Sequence, residues 1–315
     1  GSMLLEDNAG ADDAELLARD RLAHALLLLS RGNPVVYYGD EQGLTGEGGD
    51  VAARQPLFGT SIPEYTDDAL IGTDATLAEP ADDASHPLHA WIAELAGVVR
   101  DSAALRSGAH QTRLAEDGPG VYAFSRIDRD ERVETLVAVS SADEPRTVEV
   151  PTWSRGTLSL LAGGGEAALT TDDAGVVTVT VPAYGAVVYR ADAPIEEVAP
   201  ASVTLSTGWT GDEAEVDPGR LPVRAEVAST DGAPTYAEVS FWARADDGAW
   251  EHLGTDDSAP YAVYDVVTDL APGDVVEYQA VASDGRGTDV RSDTVPGTVP
   301  APEVRIASPA PGDTL

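Results

Sequence analysis

Asn33-Pro-Val-Val-Tyr-Tyr-Gly-Asp-Glu-Gln-Gly43 decides the reading of this chain. Val35–Tyr38 are β-branched or aromatic without a break, the composition of a strand buried on both faces, as in a parallel sheet covered by helices. The run turns at once into Gly39-Asp40-Glu41-Gln42. Polar residues just past the C-terminal end of such a strand are where α/β barrels carry their functional groups. A helical pattern precedes the run, and a polar loop and a second helical pattern follow it. The stretch reads as the last strand of a (β/α)8 barrel whose other strands lie outside the 315 residues.

Upstream, Asp12 or Asp13 is placed to cap a helix running to about Arg31, with Gly32 as its stop. Leu16, Leu17, Leu22, Ala25, Leu26 and Leu29 form its apolar face, and His24 on it reads as a packing residue. Downstream, Leu44 to about Ser85 is a long loop, the kind that is functional or disordered. Arg54 in it could anchor a carboxylate at the barrel mouth. Glu47 and Asp50 could bind calcium but lack a loop signature, and the ordinary reading is a solvated loop. Pro87 opens a second helix to about Arg106, with Ser85 as cap and Gly108 as stop. His86 and His89 are three apart with no third ligand near, so they read as surface histidines at a helix start, and no metal site is assigned.

From Thr112 the period changes to two. Val121–Arg126, Glu134–Ser140, Arg146–Pro151, Thr157–Leu161, Val176–Pro182 and Gly185–Arg190 read as strands between turn clusters, an antiparallel sandwich. Residues 192–201 are rich in Ala, Pro and Glu and read as a linker. Val203–Leu205, Leu221–Val227, Ala237–Arg244, Tyr261–Val267 and Val275–Ser283 make a second all-β module with the layout of an immunoglobulin or fibronectin type III sandwich. Trp209, Trp242 and Trp250 in that module are candidates for stacking on sugar rings. Strand aromatics are otherwise core or half-buried packing.

The expected fold class is mainly β with an N-terminal α/β remnant: the last strand and two helices of a barrel, then two antiparallel β-sandwiches. The expected divisions are 1–110 for the remnant, 111–192 for the first sandwich, 193–201 for a linker, 202–298 for the second sandwich and 299–315 for the start of a further module. One strand and two helices cannot close a barrel, so residues 1–110 are expected to lie as a helical layer on the first sandwich. The Val35–Tyr38 edge is then open to pairing with a partner, which leaves self-association through the remnant as an expectation.

Net charge is −36, and all 19 basic residues are Arg. That charge repels nucleic acid and anionic membranes and accommodates a neutral ligand. Cys is absent, which removes disulfide and thiolate chemistry. Gly1-Ser2-Met3 resembles a cleavage scar.

Arg21-Leu-Ala-His-Ala-Leu-Leu-Leu-Leu-Ser-Arg-Gly-Asn-Pro-Val-Val-Tyr-Tyr-Gly-Asp-Glu-Gln-Gly43, followed by Arg54-Gln-Pro-Leu-Phe58, resembles the end of the catalytic barrel of the α-amylase family of glycoside hydrolases, in particular secreted bacterial α-amylase or pullulanase-type members. Residues 12–106 resemble the barrel end, and 112–191 resemble the β-domain that follows it, called C. The resemblance implies retaining hydrolysis of α-glucans such as starch, glycogen or pullulan, and an extracellular bacterial setting. It implies no cofactor, with calcium left to the parent enzyme and not assigned here. The family's Asn-His-Asp motif is absent, since the five His are followed by Ala, Pro, Ala, Gln and Leu. No catalytic residue is therefore assigned, and the chain is expected to be inactive alone. Asp40 and Glu41 match the strand-eight signature and Arg54 the loop arginine, all in site-supporting roles. Phe58 stands where many members have Trp. The competing reading is a non-catalytic carbohydrate-binding or spacer region of an extracellular enzyme.

Overall fold

The computed structural model describes residues 10–46, 54–196, 199–208, 220–230, 235–245, 248–284 and 288–299. Among them are four α-helices, one 3-10 turn and sixteen strands, so the mainly β class with a helical N-terminal part is what the chain adopts. It divides into two compact units, Gly1–Glu197 and Val198–Leu315.

In the first unit, α1 spans Asp13–Leu29 and is capped by Asp12, whose carboxylate accepts from Glu15 N at 2.9 Å. The helix buries Leu16, His24, Ala25, Leu28 and Leu29. Helix α2 is the single turn Pro63–Thr66. The expected second long helix is two: α3, Pro87–Asp101, and α4, Ala103–Ser107. The break falls at Ser102, which sits in extended backbone while its hydroxyl accepts from Leu105 N at 3.2 Å. A serine side chain here outcompetes helix continuation. The cap of α3 is His86 rather than Ser85, its ring Nδ1 3.2 Å from Leu88 N.

Eight strands follow: β1 Ala109–Ala115, β2 Val121–Ile127, β3 Glu134–Ser140, β4 Arg146–Pro151, β5 Thr157–Gly163, β6 Ala168–Thr170, β7 Val176–Val181 and β8 Ala186–Ala191. They form a six-stranded sheet, β1-β2-β3-β8-β5-β6, and a separate β4-β7 pair, all antiparallel. Every residue of β3 is buried, because the six-stranded sheet is covered twice. Leu136 and Ala138 face Val150, Val177 and Val179 of the β4-β7 pair. Val137, Val139, Phe124 and Val188 face Ala25, Leu29, Trp91, Leu95 and Leu105 of the helices. The expected helical layer on the sandwich is thus present, and it shares one core with the sheet.

Val35–Tyr38 corrects one expectation. The run is not a strand and pairs with none among the described residues; Val35 is 78% exposed and Tyr37 53%. Strand hydrogen bonds come from neighbours, and this composition specifies a strand only where a sheet receives it. The described part of the following loop has a core of its own: Leu44, Leu70 and Leu77 are buried together, with Leu57, Tyr65 and Ala81 against them.

The second unit holds β9 Ser202–Thr207, β10 Arg220–Ala228, β11 Glu238–Ala245, β12 Glu251–Asp256, β13 Tyr261–Val266, β14 Val275–Ser283, β15 Asp289–Arg291 and β16 Val295–Thr298. One sheet runs β13-β10-β9 and the other β12-β11-β14-β15, with β16 also on β14. Leu221, Val223, Phe241, Tyr278 and Ala280 fill the core between them.

Candidate functional site

Two places carry the residues singled out in the sequence. The first is the turn after Val35–Tyr38. Gly39 and Gly43 bracket the 3-10 turn Asp40–Gln42, both with positive φ (90° and 70°). A side chain at Gly43 would strike the Ile71 carbonyl, so this position requires glycine for space as well as for conformation. Glu41 accepts from Gly39 N at 2.9 Å, and Asp40 accepts from Tyr37 N at 3.2 Å. Each carboxylate thus has an oxygen engaged in holding the turn. Gln42 clasps Asp83 in both directions, Nε2 to the carbonyl at 3.2 Å and Oε1 from the amide at 3.0 Å. Burial raises the Asp40 carboxyl above its usual range, and the nearby His24 charge opposes that.

His24 is buried, and its Nδ1 lies 3.0 Å from the Asp20 carbonyl and 3.1 Å from the Asp20 carboxylate. Burial lowers the His24 pKa, but the two Asp20 hydrogen bonds and the charges of Asp20 and Asp40 outweigh it, and the net shift is upward. It is the packing histidine expected. His86 is not the surface histidine expected: it is buried, with Nε2 3.1 Å from the Ile71 carbonyl. Its ring closes a helix start over a buried loop, which the local sequence does not reveal.

Glu41, Phe58, Asp82 and His89 line one shallow cleft of about 310 Å3. Phe58 is 81% exposed at its rim. Arg54 is exposed, and its charge acts on the Tyr38 hydroxyl. The turn therefore gathers Asp40 and Glu41 in a bracing role and sets Arg54 near Tyr38. Glu47, Asp50 and Trp209 lie outside the described residues. No group of three or more His, Asp or Glu among the described residues could hold a metal ion.

The second place is the outward face of the β12-β11-β14-β15 sheet. Val239, Phe241 and Ala243 of β11 point into the core, so Ser240, Trp242 and Arg244 point out. On β14 Tyr278, Ala280 and Ala282 point in, and Gln279, Val281 and Ser283 point out. Ser240, Trp242, Trp250, Gln279, Asp289 and Arg291 line a groove of about 470 Å3 there. Trp242 lies opposite Gln279 on β14 and His252 on β12, its ring centroid 5.0 Å from that of His252. The Arg244 guanidinium sits 4.7 Å over the Trp250 ring, and its Nε donates to Glu277 at 2.6 Å. The two tryptophans were legible in the sequence. Gln279, Asp289 and Arg291 were not, because only the pairing of β11, β14 and β15 brings them there.

No protein-family model matches the chain. An α-amylase of Streptomyces lividans is 41% identical over 288 residues, which is 91% of this chain and 30% of that protein. Among solved structures, the α-amylase of Geobacillus thermoleovorans complexed with acarbose aligns with TM-score 0.43 and 19% identity over 60% of this chain and 35% of its own. The α-amylase from H. orenii aligns with TM-score 0.40 and 22% identity over 59% and 37%. The chain spans about a third of the length of the relatives it matches. Identity of 41% sustained across nine-tenths of the chain makes it a relative of part of an α-amylase, of which it spans 30%.

Proposed function

We propose that these residues are the C-terminal part of a secreted bacterial glycoside hydrolase of α-amylase or pullulanase type, acting on α-glucans with retention. The observation that carries this is the 41% identity over 288 residues with an α-amylase. Retaining hydrolysis needs a carboxylate nucleophile and a carboxylic acid about 5–5.5 Å apart. Asp40 and Glu41 are neighbours with an oxygen each engaged by backbone amides, which suits support of a site rather than attack. In this reading the reacting carboxylates stand on earlier barrel strands, and the chain alone has no turnover. The first unit supplies the barrel end and domain C, and the second an immunoglobulin-like sandwich. The half-buried indoles of Trp242 and Trp250 favour a carbohydrate-binding role for that second unit beside the catalytic one.

The test joins these residues to the part of the Streptomyces lividans relative that lies outside the match. The chimaera is expected to release reducing ends from soluble starch or pullulan with an α-configured product, while the 315-residue chain releases none. A folded chimaera without turnover on either polymer overturns the reading. So does turnover by the chain alone that vanishes in Glu41→Gln.

A further inference from the structure

An antiparallel sheet with one face on a core ordinarily turns polar side chains outward. The outer face of the second unit departs from this at Trp242 and Val281, with Trp250, just before β12, beside them; all three are half-buried away from the core. Several features of the sheet set these rings rather than merely tolerate them.

The pairing of β11 with β12 slips between Phe241 and Trp242: Phe241 stands opposite Gly254 and Trp242 opposite His252. The unpaired residue is Leu253. In regular register Leu253 would face Trp242. The bulge instead sends Leu253 against the core and brings the His252 ring beside Trp242. Bulges re-aim side chains in this way. Trp250 is fixed by a different device. Arg244 covers one side of its ring from 4.7 Å and is itself tied to Glu277 at 2.6 Å. Both rings are thus positioned before any ligand arrives, which reduces the ordering cost of binding.

We propose that this groove binds a neutral α-glucan chain, with Trp242 and Trp250 as stacking surfaces and Gln279, Asp289 and Arg291 as partners for sugar hydroxyls. The proposal rests on the α-glucan reading above and gives it a second point of contact remote from the chemistry. A pyranose ring offers C–H faces that suit an indole, and hydroxyls that both donate and accept. Gln279 supplies an amide whose Nε2 donates to the Ser292 carbonyl at 3.4 Å, fixing it at the groove wall. Asp289 and Arg291 stand two residues apart on β15, opposite Ser283 and Val281 of β14. Their charges are opposite, so the wall favours neither an anion nor a cation. The net charge of −36 further repels anionic ligands. What suits an apolar floor with balanced polar walls is an uncharged polyhydroxylated chain.

The test is calorimetric titration of the 315-residue chain with maltoheptaose and, separately, with β-linked cellohexaose. Maltoheptaose is expected to bind. Trp242→Ala and Trp250→Ala are each expected to weaken it at least tenfold and Gln279→Ala severalfold, with unchanged thermal midpoints. Should a Trp→Ala chain fail to fold, Val281→Arg replaces it: this outward position fills the groove without touching the core, and it is expected to abolish binding. Maltoheptaose binding that survives both Trp242→Ala/Trp250→Ala and Val281→Arg overturns the groove while leaving the α-glucan reading intact. Absence of maltoheptaose binding, or binding of cellohexaose alone, also overturns it. Starch turnover by the chimaera decides the catalytic reading independently of any of these results.

Discussion

Arg113 reaches the wholly buried Glu134 through a bulge, its Nη2 3.2 Å from the carboxylate. The β1-β2 register slips between Thr112 and Leu114, and the extra residue, Arg113, is thereby aimed across the sheet. Glu134 also accepts from Ser125 Oγ, and from Ser154 at both N (2.8 Å) and Oγ (2.6 Å). The cluster ties β1, β2 and β3 to the segment after β4. Removing one partner of a buried pair leaves an uncompensated charge, at a cost of about 3–5 kcal/mol. Glu134→Ala is expected to lose that much in urea unfolding, and Arg113→Ala/Glu134→Ala together less than the sum of the single losses.

His24 makes the first unit sensitive to pH. Its pKa in the folded chain lies above the ordinary 6.5, so the folded state holds the proton more tightly than the unfolded one. The associated stability is complete below about pH 6.5 and is lost as pH rises through the folded value. Asp40, also raised, acts in the same direction from its ordinary 3.8 upward. The unfolding midpoint is expected to fall between about pH 6 and pH 8, and His24→Gln to flatten that slope. A midpoint that rises over this interval contradicts the assignment.

Leu95 of α3 is fully buried against Phe124, Val137 and Val188 of the sheet. Leu95→Ala is expected to cost about 2–5 kcal/mol. Because the helices and the sheet share this core, far-ultraviolet helical circular dichroism and the near-ultraviolet signal of Trp91 and Tyr122 should be lost together. Loss of helix alone at lower denaturant would show that the two layers unfold separately.

Val35 and Phe58 are 78% and 81% exposed, and Tyr37 and Tyr38 lie beside Val35. Exposed apolar side chains of this size are open to environment-sensitive dyes. Val35→Ser with Phe58→Ser is expected to lower dye fluorescence while changing stability by no more than about 0.5 kcal/mol, as for surface positions generally.

Most elements were legible because they carry their own signals. Asp12 caps α1 as a local hydrogen bond to Glu15, and the period-two runs of β3, β4 and β14 fell on their observed limits. What was not legible depended on other parts of the chain. Val35–Tyr38 has the composition of a strand, but no strand among the described residues pairs with it. The run of β12, Glu-His-Leu-Gly-Thr-Asp, has no alternating pattern and is a strand only because β11 pairs with it. The groove follows the same logic: two indoles announce themselves, while the side chains around them assemble from β14 and β15.

The continuous packing of Trp91, Leu95 and Leu105 into the same core as Val137 and Val188 also bears on how such proteins are assembled by recombination. A crossover between α4 and β1 would separate two halves of one interior, each carrying apolar surface fitted to the lost half. A crossover near residue 197, at the limit of the first unit, leaves the described members of that interior together. Ancestral exchange of modules, and any laboratory shuffling of this chain, is therefore expected to tolerate a join near residue 197 and to reject one between the helices and the sheet they cover.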